Sequence, residues 1–156
     1  MRAPAFGLLA ALLGAAGFAA VEIAGRASGV RTALSSSLTV DLLAFTLAAV
    51  VLALACRGAW ARGGWLRVAG TSLAYLVLFP LLTAILAGVA DLTVRGGWAY
   101  PGEIRTAFVA GPANLLATFT VELGWIALPA TVLTVAALVT AARAGGGTRT
   151  SGGARR

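Results

Sequence analysis

Long apolar runs separated by short polar segments dominate the chain. Four of these runs, residues 4–24, 38–56, 66–90 and 115–142, are each about 20 residues long or longer. An α-helix rises 1.5 Å per residue, so about 20 residues cross the ~30 Å hydrocarbon core of a bilayer. The pattern therefore predicts four transmembrane helices.

Prolines inside the apolar runs predict where the helices bend, and the segments between the runs predict how the helices connect. Pro80 and Pro129 lie inside the third and fourth runs, where a membrane helix accommodates proline with a kink. The longest connection, residues 91–114, contains several Gly and Pro turn signals, and its segment 103–110 can form a short interfacial helix. Residues 143–156 are rich in Gly, Thr, Ser and Arg, so we expect a disordered tail.

The amino-acid composition is typical of a membrane protein. Of 156 residues, 60% are hydrophobic and 11% are charged, whereas soluble domains carry about 25% charged residues. Mean hydropathy is +0.94. The fold we predict is all-α, an integral membrane four-helix bundle formed as a single unit by residues 1–142, with no separate extramembrane domain.

The first apolar run has a rival interpretation as a cleavable signal peptide. Arg2 would be its charged start, and Gly17, Phe18 and Ala19 form a small-x-small cleavage sequence. The run is long for a signal peptide and carries Glu22 near its end. We therefore favour a retained helix.

The arginines predict the orientation. All twelve basic residues are Arg, and the lack of Lys is typical of a high-GC bacterial genome. Alternate connections and both ends carry eight of them: Arg2, Arg57, Arg62, Arg67, Arg143, Arg149, Arg155 and Arg156. The other side has four: Arg26, Arg31, Arg95 and Arg105. The positive-inside rule then predicts an inner-membrane protein with both termini in the cytoplasm. This rule also accounts for the net charge of +7, so we expect no nucleic-acid partner.

The acidic residues all fall toward the opposite, outer side. There are five: Glu22, Asp41, Asp91, Glu103 and Glu122. The i,i+4 spacing of Glu22 with Arg26, and of Asp91 with Arg95, allows two ion pairs that would simply end helices at the interface. The alternative is a hydrated cavity lined by Glu22, Asp41 and Glu122, because helix lengths place these three acids at a similar depth.

The chain has few of the residue types and motifs that catalysis requires. The chain has no His and one Cys, Cys56, so it cannot form an intrachain disulfide or a multi-Cys metal site. It carries no phosphate-binding loop, no nucleophile elbow and no zinc-protease motif. We expect no enzyme activity, no cofactor and no metal.

Three functional hypotheses follow. The leading one is a non-enzymatic packing or accessory subunit, held in the bilayer with copies of itself or with other membrane subunits, because small residues such as Gly7 and Gly14 allow close helix approach. The alternative is a small proton- or cation-coupled transporter or channel that uses Glu22, Asp41 and Glu122. The third is a binder of an outer-leaflet lipid or amphiphile, which requires Arg26 or Arg95 to be directed inward.

Overall fold

The computed structural model describes residues 2–29, 37–118, 121 and 124–146. Across these ranges the regular structure is helical, and no strand occurs in them. Four helical segments are long and apolar enough to cross a membrane: Ala3–Ser28, Leu38–Arg62, Trp65–Arg95 and Ile126–Gly145. The tail beyond residue 146 and part of the first connection, residues 30–36, lie outside the described residues.

The first two long helices, α1 (Ala3–Ser28) and α2 (Leu38–Arg62), pack against each other in an antiparallel pair. Proline near the first position suits the start of α1, because the first amides of a helix have no partner inside it. Gly29, with φ of +70°, ends α1 in the left-handed conformation that glycine adopts without strain. Both helices run past the predicted residues 4–24 and 38–56.

The third helix, α3, spans Trp65–Arg95 with Pro80 inside it. Only Gly63 and Gly64 connect it to α2. A side chain at Gly63 would overlap the carbonyl oxygen of Ala59, so this tight connection needs glycine. With 31 residues, α3 is the longest helix, about 46 Å long.

The connection after α3 is more helical than the short interfacial helix predicted for residues 103–110. A 3-10 turn Gly97–Ala99 leads into α4 (Pro101–Arg105), a π-helical turn Thr106–Ala110 and α5 (Gly111–Ala117). These elements turn back along α3, because a Cβ at Gly88 would lie 2.9 Å from the Cβ of Ala107. The buried side chain of Leu115 joins the core.

The fourth apolar run, residues 115–142, is helical wherever the structure describes it. Its first residues belong to α5, and its part from Gly124 onward belongs to α6 (Gly124–Gly146). The apolar pattern is continuous across this region, so hydropathy alone does not separate α5, which packs on α3, from α6, which packs on α1 and α2. Pro129 lies within the first turns of α6.

Small residues let α1 and α2 approach closely at mid-length. A Cβ at Gly14 would lie 2.8 Å from the Cβ of Ala49 and 3.2 Å from the carbonyl oxygen of Phe45. Such close approach is how helices pack in lipid, where no hydrophobic effect drives them together. Large apolar side chains instead face outward, including Leu8, Leu12 and Leu43.

Candidate functional site

Two of the predicted site acids, Glu22 and Asp41, lie at the same level of the bundle. The rings of Phe18 in α1 and Phe45 in α2 are 5.3 Å apart, in an edge-on arrangement. Glu22 and Asp41 each lie four residues, about one turn, beyond these rings toward the same end of the antiparallel pair. The third acid, Glu122, lies outside the described residues.

The two ion pairs expected from i,i+4 spacing are both formed. Arg26 Nε lies 2.9 Å from Glu22 Oε1, and Arg95 Nη2 contacts Asp91 Oδ2. The arginine side chains are 71% and 57% exposed, respectively. Both pairs lie in the last turns of their helices, so neither arginine is directed inward as the amphiphile hypothesis required.

Asp41 differs from the paired acids because it is almost fully buried, at 1% exposed. It lies in the first turn of α2, where its backbone amide donates to the carbonyl oxygen of Ser37 at 3.1 Å. The partial positive charge of a helix N-terminus stabilises a carboxylate at this position. The geometry is that of a buried helix-start carboxylate.

Asp91 does not lie at the same level of the bundle as Glu22 and Asp41. The rings of Phe45 and Phe79 are 5.7 Å apart. Asp41 lies roughly 6 Å beyond Phe45 along α2, while Asp91 lies roughly 18 Å beyond Phe79 along α3, at 1.5 Å per residue. Asp91 is therefore separated from Asp41 along the bundle axis.

A cavity among the described residues is apolar and lies elsewhere. It is a narrow cleft of about 20 Å³ where α1, α2, α3 and α6 meet. We call it the central cleft. Its lining consists of Leu13, Gly14, Gly17, Val21, Phe45, Ala49, Tyr75, Phe79, Ala127, Ala130, Thr131 and Thr134. Most of these residues lie near the middle of their helices.

The glycines of α1 have different roles at the central cleft. Gly14 is in tight contact with α2, as described above. Gly17 has no atom within 4 Å of where its Cβ would be, so its missing side chain leaves open space on the cleft wall. Gly7, near the start of the same helix, also has no neighbour within 4 Å but does not line the cleft.

Tyr75 provides the one lining hydroxyl that lacks a hydrogen-bond partner among the described residues. Its side chain is 1% exposed, and its hydroxyl is buried. The other lining hydroxyls are engaged within α6, because Thr131 Oγ1 donates to the carbonyl of Ala127 at 2.6 Å and Thr134 Oγ1 donates to that of Ala130 at 2.9 Å.

A row of aromatic rings holds Tyr75 in place. Its ring stacks on Phe79 with centroids 5.7 Å apart and planes 5° from parallel. Trp60 also contacts it, with centroids 5.7 Å apart and a tilted plane, and Phe79 continues the row to Phe45. Aromatic pairs at these separations are stabilising beyond the area that they bury. The position of the Tyr75 hydroxyl is therefore set by packing.

The central cleft was not predicted from the sequence. The position of Tyr75 is the one feature that could have indicated it. Tyrosine in membrane proteins is enriched at the two interfaces, whereas Tyr75 lies ten residues from the start of α3. A tyrosine at that depth needs a hydrogen-bond partner. The small lining residues carried no comparable signal, because glycine and alanine occur throughout the chain.

Metal-binding chemistry is also absent from the part of the chain that the structure describes, where no three His, Cys, Asp or Glu side chains cluster. Cys56 is partly buried in α2, with its sulfur 4.0 Å from the carbonyl oxygen of Thr71, which is a weak interaction. Comparisons with protein-family models, with curated proteins and with solved structures found no match to this chain.

Proposed function

We propose that the chain is a non-enzymatic, multi-pass inner-membrane protein that packs in the bilayer with copies of itself or with other membrane subunits. The observation that carries this proposal is the open face of α1, where a Cβ at Gly7 would meet no atom within 4 Å and where Leu8 and Leu12 are more than half exposed. Small residues let helices approach each other closely in lipid, where packing drives their association.

The proposed orientation has both termini in the cytoplasm. The arginine excess at one end supports it. At that end the guanidinium of Arg57 lies 5.6 Å from the ring centroid of Phe6, which holds the start of α1 against the end of α2. A reporter that is active only in the cytoplasm, fused after residue 146, should be active, whereas the same reporter inserted after Gly29 should be silent. The reverse pattern would overturn the orientation.

A cross-link between copies tests the packing role. If copies pack through the open face of α1, Gly7→Cys in a Cys56→Ser background should form a disulfide-linked dimer in isolated membranes when copper–phenanthroline is added as the oxidant. A purely monomeric product, together with no partner recovered in mild detergent, would exclude this role.

The transport hypothesis stays a prediction that centres on Glu122. It expects Glu122→Gln to abolish proton or cation flux in liposomes while the protein stays folded. Unchanged flux would exclude it. Of the other two acids in this hypothesis, Glu22 pairs with Arg26 and Asp41 is almost fully buried.

A further inference from the structure

Asn114 is an exposed polar side chain on α5, and it has no hydrogen-bond partner among the described residues. Leu115 beside it is buried in the core, whereas Asn114 faces the outside of the bundle. The amide of asparagine offers two N–H donors and an acceptor oxygen. Water would satisfy these groups at a membrane surface, so the depth of Asn114 decides whether it needs a protein partner.

The packing of α5 on α3 places Asn114 near the middle of the bilayer. Ala107 lies against α3, because a Cβ at Gly88 would lie 2.9 Å from the Cβ of Ala107. From Ala107 the chain runs back along α3, and Asn114 lies seven residues, roughly 10 Å, further on. This brings Asn114 level with Pro80, at the midpoint of the 31-residue α3. The sequence pattern had instead assigned Asn114 to the outer connection.

An exposed amide at this depth faces hydrocarbon when the chain is a single copy. Hydrocarbon forms no hydrogen bonds, so an amide that leaves water for it loses its hydration without compensation. Long side chains such as that of arginine extend along a helix to reach water. The asparagine side chain is too short to cross the roughly 15 Å from the bilayer centre to either surface. Asn114 therefore needs a hydrogen-bond partner from another membrane-embedded molecule.

The residues around Asn114 allow another helix to come close. Ala110, Ala113 and Ala117 are also exposed, and they surround Asn114 on the outer side of this segment. Alanine side chains let helix backbones approach closely in lipid, which is the distance that a short side chain such as asparagine needs to form an interhelical hydrogen bond.

A second copy of the chain fits this surface, because an asparagine amide is complementary to itself. Each amide can donate an N–H to the carbonyl oxygen of the other. Copies inserted in the same orientation are related by a two-fold axis along the membrane normal, which places the same residue of both at the same depth. We propose that two copies pack through α5, with the two Asn114 side chains hydrogen-bonded to each other across the axis.

This inference rests on the packing role proposed above and adds a second contact to it. The open face of α1 is a separate surface, because α1 packs on α2 and α6 whereas α5 packs on α3. Gly7→Leu fills the open face of α1 without touching α5. Association that remains in a Gly7→Leu background therefore reports the α5 contact alone.

Energy transfer between donor- and acceptor-labelled copies in liposomes measures this contact. The full chain, with Gly7→Leu and a fluorescent protein at its C-terminus, is diluted with phosphatidylethanolamine–phosphatidylglycerol lipid to obtain a dissociation constant. An interhelical hydrogen bond corresponds to about a three- to thirtyfold change in affinity. We expect Asn114→Leu to weaken association by that factor. Asn114→Gln, which keeps the amide, should stay within about threefold of the parent.

A mixed pair tests whether the two amides bond to each other. When Asn114→Leu copies carry the donor and Asn114 copies carry the acceptor, the remaining amide has no counterpart. We expect this mixed pair to associate no more tightly than two Asn114→Leu copies. A mixed pair as tight as the pair with both amides would show that Asn114 bonds to another group, and the proposed pairing would be wrong.

The outcomes separate this inference from the proposed function. If copies with Gly7→Leu associate equally well with and without Asn114→Leu, the assignment to Asn114 is wrong and the packing role stands. If Gly7→Leu alone abolishes an association that the unsubstituted protein shows, the α5 contact is wrong and the open face of α1 carries the packing. If the unsubstituted protein neither associates nor co-purifies with another subunit, the proposed function fails and the inference fails with it.

Discussion

Gly14→Ala tests the close approach of α1 and α2 on which the shape of the bundle depends. The added Cβ would lie 2.8 Å from the Cβ of Ala49, whereas ordinary contacts begin near 3.4 Å. The helices would have to separate by about 0.6 Å, and backbone atoms of Phe45 and Thr46, both at 3.2 Å, prevent a sideways adjustment. Overpacking of this kind costs typically 1–3 kcal/mol.

Part of this cost is offset, because alanine favours a helix over glycine by about 1 kcal/mol. We therefore expect the free energy of unfolding to fall by up to about 2 kcal/mol, measured by reversible unfolding in mixed detergent–SDS micelles. Gly17→Ala is the control: its Cβ meets no atom within 4 Å, so its unfolding free energy should stay the same or rise by up to about 1 kcal/mol. The reasoning is refuted if Gly14→Ala is as stable as Gly17→Ala.

Three further experiments test other parts of the fold. Gly88→Ala should loosen the segment that turns back along α3 and speed its proteolysis, while Gly102→Ala, in that segment but with no neighbour within 4 Å, should not; equal rates would argue against the packing. A double-mutant cycle on Glu22 and Arg26 should give a coupling below about 0.5 kcal/mol, because the arginine is largely exposed; a coupling several times larger would indicate a buried pair. Asp41→Ala should lower the free energy of unfolding by about 1–3 kcal/mol and more than Glu22→Ala does, because Asp41 is almost fully buried; similar losses would contradict that burial.

Hydropathy predicted the number of spanning helices because lipid imposes one strong rule, that about 20 apolar residues form each crossing. The rule does not say where the chain turns or which neighbouring helix each segment contacts. Residues 115–142 are mostly apolar, so hydropathy does not show that α5 packs on α3 whereas α6 packs on α1 and α2. The sequence also predicted helices that are too short. For example, α2 continues beyond the predicted residue 56 to Arg62, past the end of the apolar run.

The candidate site could be predicted only in part. Charge spacing predicted the ion pairs of Glu22 and Asp91, because i,i+4 neighbours share a helix face regardless of tertiary structure. The central cleft depends on which faces of α1, α2, α3 and α6 meet. A single sequence does not specify those faces when nearly every residue on them is apolar. Gly17 and Gly7 look alike in sequence, and only packing shows that Gly17 lines the cleft.

The number of copies per assembly in native membranes tests most directly whether the chain packs with other subunits. Membrane fragments are captured in polymer nanodiscs, photobleaching steps of a fluorescent label count the copies, and mass spectrometry identifies any subunit that co-purifies. We predict two or more copies, or a stoichiometric second subunit, and at least a partial loss of this association in Gly7→Leu, which fills the open space beside α1. Single copies without a co-purified subunit, unchanged by Gly7→Leu, would contradict the account.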